Sequence, residues 1–328
     1  MRDPELSVME EPDAAVVEEI AALIDRVVLA TDHAAISEAK RLALLHAGPE
    51  GPRNLPQDSP TIASAEPRLL AAVVARDRDR GQVVGYAPVV GDPVSGQYAM
   101  ELAVDPAAPD GTALFDRLVD AACTLVADSG GRTLRLWISK ASDADDERAR
   151  AHGFQAERHL IQMRCHLPLT DPGRKAGTAP TIRTRAFRPG HDEAAWLSTN
   201  NRAFATHPEQ GHWDLTTLLE REDEAWFDPD GLLLLEADGR LAGSCWTKIH
   251  ADTQPPMGEI YVIGVDPDFH GRGWGRALTQ AGLDWLAGQG LTVGMLYVDA
   301  DNTAAVSMYR SMGFSDDHVD RSYLRAFP

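Results

Sequence analysis

Apolar residues recur along this chain with two periods, and each period predicts a different element. The runs LFDRLVDAACTLVA (114–127) and ALTQAGLDWLA (277–287) place apolar residues three and four positions apart, which indicates amphipathic helices. The runs TLRLWIS (133–139) and VGMLYVD (293–299) are short and rich in β-branched and aromatic residues, which indicates strands. Each helical run is followed by its strand-like run, in the same order in both halves of the chain.

Two strand pairs precede these segments. LLLLEA (232–237) and LAGSCWTKI (241–249) are separated by Asp238-Gly239, a signal for a two-residue type I′ hairpin. LLAAVVAR (69–76) and QVVGYAPVV (82–90) give the same trace in the first half. Because hairpins come first and helical crossovers later, the sequence predicts a mixed α/β sheet, antiparallel first and then parallel.

The two halves read as diverged copies of one unit. MELAVDP (100–106) corresponds to YVIGVDP (261–267), and each copy ends in a Gly-Phe pair, at 153–154 and 313–314. The distance from the aspartate of the motif to this glycine is 48 positions in one half and 47 in the other. Matched order and spacing indicate a tandem repeat.

The segment TDPGRKAGTAP, rich in Pro, Gly and small residues, is typical of a linker. We therefore expect an N-terminal domain at 1–169, a linker at 170–180 and a C-terminal domain at 181–328.

Composition narrows the function classes. A net charge of −19 over 328 residues disfavours nucleic acid and anionic membranes as partners and favours a cationic substrate such as an amine. An anionic cofactor would need local N–H groups and arginines. The sequence has no long apolar run and no signal-like N-terminus, so we expect a cytoplasmic protein, and the tandem repeat favours a monomer. We expect Cys123, Cys165 and Cys245 to be reduced and buried.

The segment GEIYVIGVDPDFHGRGWG (258–275) carries the most chemical information. It begins as a strand and ends in alternating glycines just before a helical pattern. Glycines let successive N–H groups converge, and a helix N-terminus adds a positive dipole, so the segment predicts a pyrophosphate cradle flanked by Arg272 and Arg276. The spacing fits neither a Rossmann fingerprint nor a P-loop, and a glycine turn without a ligand stays open from the glycines alone.

Together with LYVDADNTAAVSMYRSMGF (296–314), this segment resembles the acetyl-CoA core of GNAT (acyl-CoA N-acyltransferase) enzymes. The resemblance implies two tandem GNAT domains, acetyl-CoA as co-substrate and no metal. It implies that main-chain groups of Ile263, Gly264 and Val265 bind pantetheine. The pyrophosphate loop would comprise His270, Gly271, Arg272, Gly273, Trp274, Gly275 and Arg276. The helix beside CoA would contribute Asn302, Thr303, Ala304, Ala305, Val306 and Ser307.

The segments NRAFATHPEQGHW, EAWFDPDGL and CWTKIH make the chain similar to the mycothiol synthase family. That likeness implies transfer of acetyl to the cysteinyl amine of cysteinyl-glucosaminyl-inositol (desacetylmycothiol), the final step of mycothiol biosynthesis. It implies that Glu259 is the general base and Tyr309 the general acid. The substrate contacts it implies are Glu38, Glu209, Lys248, Glu259 and Tyr297.

The N-terminal copy lacks the glycine loop and keeps only Gly111 after its Asp-Pro. We expect it to be catalytically silent, although Leu102, Ala103 and Val104 keep main-chain groups that can hold pantetheine. The spacing of His207 and His212 does not predict a metal site. Two alternatives stay open: a GNAT enzyme for another small amine, such as an aminoglycoside or a peptide N-terminus, and a non-enzymatic acyl-CoA sensor.

Overall fold

A computed structural model of the chain describes residues 3–31, 35–37, 40, 68–169, 182–207, 210–251 and 253–328. The chain divides into two compact units. Unit 1 is Met1–His159 with Val319–Pro328, and unit 2 is Leu160–His318. The expected linker at 170–180 lies outside the described residues.

Unit 1 has a helix near its start and a strand–helix–strand–helix run later. Its elements are β1 (Glu5–Met9), α1 (Ala14–Thr31), β2 (Arg68–Arg76), β3 (Val83–Asp92), β4 (Gln97–Met100), β5 (Ala103–Val104), α2 (Gly111–Asp128), β6 (Thr133–Ile138), α3 (Asp143–Ala151) and the start of β7 (Gln155–His166).

Unit 2 repeats this plan. Its elements are the rest of β7, β8 (Thr184–Ala186), α4 (Glu193–Ala203), α5 (Leu215–Glu222), β9 (Leu232–Ala237), β10 (Arg240–His250), β11 (Met257–Val265), α6 (Trp274–Gly288), β12 (Val293–Asp299), α7 (Thr303–Ser311) and the start of β13 (Ser315–Ala326).

In each unit, two neighbouring strands run parallel, and the two pairs occupy equivalent places in the strand order. Unit 1 runs β1-β2-β3-β4-β6-β13, with β4 and β6 parallel, the other neighbours antiparallel and β5 also on β3. Unit 2 runs β7-β12-β11-β10-β9-β8, with only β11 and β12 parallel. Beyond the parallel pair, each unit therefore takes a strand from the other half of the sequence.

Unit 1 buries both faces of its sheet. Val73 and Ala75 pack with α2 residues such as Leu118, whereas Ala72 and Val74 pack with α1 residues such as Ile20. Successive side chains of a strand point to opposite faces, so β2 is apolar from Leu69 to Ala75, between its terminal arginines.

Unit 2 packs two different layers against its sheet. On one face, α4 and α5 enclose an aromatic core that includes Trp196, Trp246 and Val262. On the other face, α6 approaches β10 and β11 closely at Gly282, where a Cβ would lie 2.5 Å from Cys245 Sγ and 2.7 Å from Ile260 Cδ1. A side chain at this position would push the helix off the sheet.

The mixed α/β architecture agrees with the expectation from the hydrophobic pattern. Asp238 and Gly239 have φ values of 52° and 77°, as the predicted type I′ turn requires. The three cysteines are buried free thiols. Within the described ranges, no helix is both long and apolar enough to cross a membrane.

Candidate active site

The site begins where two parallel strands part. β11 pairs with β12 from Met257 to Ile260, whereas it pairs with β10 as far as Val265. A register shift in β10 between Trp246 and Thr247 accompanies this change. Along 261–265, the edge of β11 on the side of β12 is therefore no longer paired with β12. The residues that the sequence assigned to pantetheine, 263–265, lie on this free edge.

The glycine loop follows directly and leads into α6. Gly271 and Gly273 have φ values of 77° and 75°, in the left-handed region that favours glycine. Gly273 is the N-cap of α6, and among the described residues no side chain caps this helix end. The first N–H groups of α6 therefore stay available to an anion.

The side chains around the loop make different kinds of contact. Arg272 lies over Phe269 and Trp274 at 5.0 and 5.1 Å, and these two rings stack at 5.3 Å. Arg276 donates to Ser311 Oγ at 2.7 Å, which ties α6 to the end of α7. His270 Nε2 lies 2.9 Å from the carbonyl oxygen of Val265, so the imidazole buttresses the loop where the sequence predicted only a cofactor contact.

An aspartate–arginine pair anchors the end of the strand in each unit. Asp266 accepts from Arg202 Nε at 2.8 Å, and Asp105 accepts from Arg26 Nε at 2.9 Å. The Arg202 guanidinium lowers the pKa of the Asp266 carboxyl, and the amide of Asp268 adds to that effect. This shared contact fixes the turn after the strand in both copies.

Glu259 lies on β11 just before the strands part and is 7% exposed. Its Oε2 lies 2.7 Å from His250 Nε2. Lys248 pairs with Glu259 across the strands, and its ammonium lies 4.4 Å from the centre of the Trp226 ring. On β12, the hydroxyl of Tyr297 accepts from Gln162 Nε2 at 2.7 Å.

Tyr309 lies on α7 and is buried against Phe314, with ring centres 5.7 Å apart. Burial raises the pKa of Tyr309, and the nearby Cys245 thiol adds to the effect. Burial also raises the pKa of Cys245, to about 12. This part of unit 2 therefore disfavours anionic side chains.

The start of α7 is exposed at 302–304, and Asn302 caps it by accepting from the amide of Ala305 at 3.2 Å. A cavity of about 280 Å³ borders this helix. Its lining comprises Ile161, Ala300, Thr303, Val306, Ser307 and Arg310.

The equivalent place in unit 1 differs at the helix end. β4 pairs with β6 only as far as Met100, and Ala103 and Val104 pair with β3, so the strands part here too. A cavity of about 390 Å³ is lined in part by Leu102 and Val104. At the start of α2, however, the Asp110 carboxylate accepts from the amide of Ala113 at 2.9 Å. A carboxylate thus occupies the helix end that is open in unit 2.

Some predicted residues fall outside this geometry. Glu38 and Glu209 lie outside the described residues. His207 Nε2 lies 3.6 Å from Asp299 Oδ2, and no group of three or more potential metal ligands occurs in the described part of the chain.

Sequence reasoning missed His250 and Asp110. An aspartate before an apolar helical run is an N-cap signal, so Asp110 could have been found. His250 could not have been found in this way, because its contact depends on the register between two strands.

Comparisons with known proteins agree with this geometry. The profile of the Acetyltransferase (GNAT) family matches residues 194–314. A mycothiol acetyltransferase from Geodermatophilus obscurus is 40% identical over 320 residues, covering 96% of each chain. One from Streptomyces coelicolor is 43% identical over 252 residues, covering 75% of this chain and 77% of its own.

Solved structures share the fold. A GCN5-related N-acetyltransferase from Sphaerobacter thermophilus has a TM-score of 0.66 at 24% identity and covers 98% of this chain and 95% of its own. A tandem GNAT protein from the clavulanic acid biosynthesis pathway has a TM-score of 0.64 at 17% identity and covers 99% of both chains. The expected tandem GNAT fold is confirmed.

Tyr309 gives a testable consequence of burial. Because burial raises its pKa, folded Tyr309 should keep its proton above pH 10, where an exposed tyrosine ionises. The stabilisation of the folded state by protonated Tyr309 is lost as the pH rises through its raised pKa. In an absorbance titration at 295 nm, Tyr309→Phe and the wild type should coincide until alkaline unfolding, where the wild type gains one extra tyrosinate. A tyrosine ionisation that the variant loses before unfolding would contradict the assignment.

Proposed function

The chain belongs to the mycothiol acetyltransferase family of GNAT enzymes, and we propose that it transfers acetyl from acetyl-CoA to the cysteinyl amine of desacetylmycothiol. The observation that carries the proposal is the free edge of β11 beside the open N-terminus of α6, with Glu259 at the start of the same strand. Consistent with the composition, we expect a monomer acting in the cytoplasm.

The pyrophosphate of acetyl-CoA would bind the loop 270–276. Three features support this: the left-handed glycines at 271 and 273, the uncapped start of α6, and the charge of Arg272. In a protein of net charge −19, such converging donors offset an unfavourable background field. Arg276 contributes by tying α6 to α7 at Ser311.

Pantetheine would lie along 263–265, because an unpaired strand edge offers main-chain N–H and C=O groups to an extended ligand. One of these N–H groups would polarise the thioester carbonyl. On the other side, α7 would flank CoA through residues 302–307, whose first three residues are exposed. Bound acetyl-CoA supplies an activated acetyl group, and the side chains of this chain manage the protons.

Glu259 would take the proton from the substrate ammonium, directly or through one water, so that the amine lone pair becomes free to attack. Tyr309 would return a proton to the departing sulfur. Its raised pKa lies well above that of an ordinary thiol, which is near 8.5. Burial raises the pKa of the neighbouring Cys245 thiol to about 12. A CoA thiol in a similarly desolvated place would have its pKa raised in the same direction, toward that of Tyr309.

The acceptor would lie on the face of the sheet that carries Lys248, Glu259 and Tyr297. Glu259 and Lys248 are cross-strand partners and share this face, and Tyr297 lies two residues beyond Met295, the β12 partner of Glu259. Charged and hydroxyl groups suit a polyhydroxylated amine. Glu38 and Glu209 remain proposed contacts from the family likeness.

Unit 1 would be catalytically silent. The Asp110 carboxylate already satisfies the start of α2 and would repel a phosphate there. Leu102, Ala103 and Val104 keep a strand edge and a cavity, so a pantetheine arm could be held only weakly at this place.

The proposed acceptor is tested with a panel of amines. The purified enzyme should release CoA rapidly with cysteinyl-glucosaminyl-inositol and at least 100-fold more slowly with aminoglycosides or peptide N-termini, judged by kcat/KM, about 2.7 kcal/mol of discrimination. A preference for another amine would give the runner-up enzyme. Acetyl-CoA binding without turnover on any amine would give the sensor.

Glu259→Gln should lower kcat about 100-fold or more, because it removes the proton acceptor and keeps the shape. Acetyl-CoA affinity, measured by calorimetry, should stay within about threefold of the wild type, since Glu259 does not lie in the phosphate loop. An unchanged kcat would remove Glu259 from the base role.

Gly271→Val should lower acetyl-CoA affinity about tenfold or more, because a β-branched residue at φ 77° distorts the loop by roughly 1–2 kcal/mol. Gly290→Val is the matched control: Gly290 has a φ of 84° with open space around its Cβ, but lies beyond the other end of α6. Equal affinity losses in the two variants would refute the phosphate loop.

A further inference from the structure

His250 makes the contact to the buried base that sequence analysis did not foresee. Its Nε2 lies 2.7 Å from Glu259 Oε2. The Glu259 side chain is 10% exposed and the His250 side chain 24% exposed, so both partners are largely shielded from solvent.

Strand geometry explains the contact. In the antiparallel pair of β10 and β11, Lys248 lies opposite Glu259 and His250 lies opposite Met257. His250 is thus two residues from the direct partner of Glu259, on the same face, at the diagonal position that a long side chain can reach. The Lys248 ammonium lies 4.4 Å from the centre of the Trp226 ring, and His250 is the side chain within hydrogen-bonding distance of the Glu259 carboxylate in the described contacts.

The position of the proton between the imidazole and the carboxylate follows from the chemistry of the two groups. An ionised carboxylate only accepts hydrogen bonds, so the nitrogen that faces it carries the hydrogen: Nε2–H donates to Oε2. This bond fixes the rotation of the carboxylate and occupies one oxygen. The other oxygen, Oε1, is then the one that can accept a proton from a substrate.

We propose that His250 is a positioning residue that orients Glu259 toward the substrate ammonium. This inference rests on the proposed function. The N–H bond of the ammonium breaks, an O–H bond forms at Oε1, and the Nε2–H of His250 stays intact and bonded to Oε2. His250 acts only through Glu259 and does not touch acetyl-CoA.

The test compares His250→Leu with His250→Gln, whose amide N–H can replace the Nε2 donor. His250→Leu should lower kcat about 10- to 30-fold with the KM for acetyl-CoA unchanged, because a loosely oriented base is less effective. His250→Gln should recover kcat to within about threefold of the wild type. His191→Leu is the matched control, since His191 is exposed and its ring contacts only the carbonyl of Pro189 at 3.3 Å among the described contacts.

A double-mutant cycle separates positioning from general damage. In the Glu259→Gln background, His250→Leu should cause little further loss, since both changes act on one group. Additive losses would overturn the proposal. So would a wild-type kcat in His250→Leu, or a folded His250→Gln variant as slow as His250→Leu.

A readout without turnover keeps this inference distinct from the proposed function. In the free enzyme, the imidazole ¹⁵N spectrum should show a protonated, hydrogen-bonded Nε2 for His250 that shifts in Glu259→Gln. An unshifted signal would refute the contact even if the enzyme acetylates its acceptor. A shifted signal in a protein that acetylates no amine would support the contact and overturn the function instead. Turnover retained in Glu259→Gln would overturn both the base role and the positioning.

Discussion

The parting of β11 from β12 after Ile260 is the constraint on which the rest of the site depends. In a fully paired strand, the main-chain N–H and C=O groups bond to the neighbouring strand and are not available to an extended ligand. The register shift at Trp246 and Thr247 lets β10 follow β11 beyond the point where β12 leaves. The Arg202–Asp266 pair then fixes the turn, so that the glycine loop starts from a defined place.

The two units differ at one helix end, the place where we propose that an anion binds in unit 2. Both have a parting strand and an Arg–Asp pair after it, Arg26–Asp105 in unit 1 and Arg202–Asp266 in unit 2. In unit 2 the helix starts at a left-handed glycine without a side-chain cap in the described contacts, whereas in unit 1 Asp110 caps the helix. A carboxylate stabilises a helix start for the same electrostatic reason that a phosphate binds there, so the cap and the ligand exclude each other.

The side chains to which we assign proton transfer in unit 2 are buried. Glu259 is buried, and its Oε2 lies 2.7 Å from His250 Nε2. Burial raises the pKa of Tyr309 on α7, and it raises the pKa of the Cys245 thiol on β10 to about 12. Glu259 and Tyr309 are the two side chains to which we assign the roles of base and acid.

The sequence alone determined the features that depend on local spacing and backbone conformation. The tandem repeat, the Asp238-Gly239 hairpin and the glycines at 271 and 273 are readable because period and positive φ are properties of short segments. The partners of these segments depend on how the strands pair. The contact of His250 with Glu259 requires the register of two strands, and the assignment of Leu160–His318 to one unit requires strand order across the whole chain. Neither follows from spacing, because a shift of one residue in strand register moves every side chain to the other face, and strand order depends on pairing across the chain.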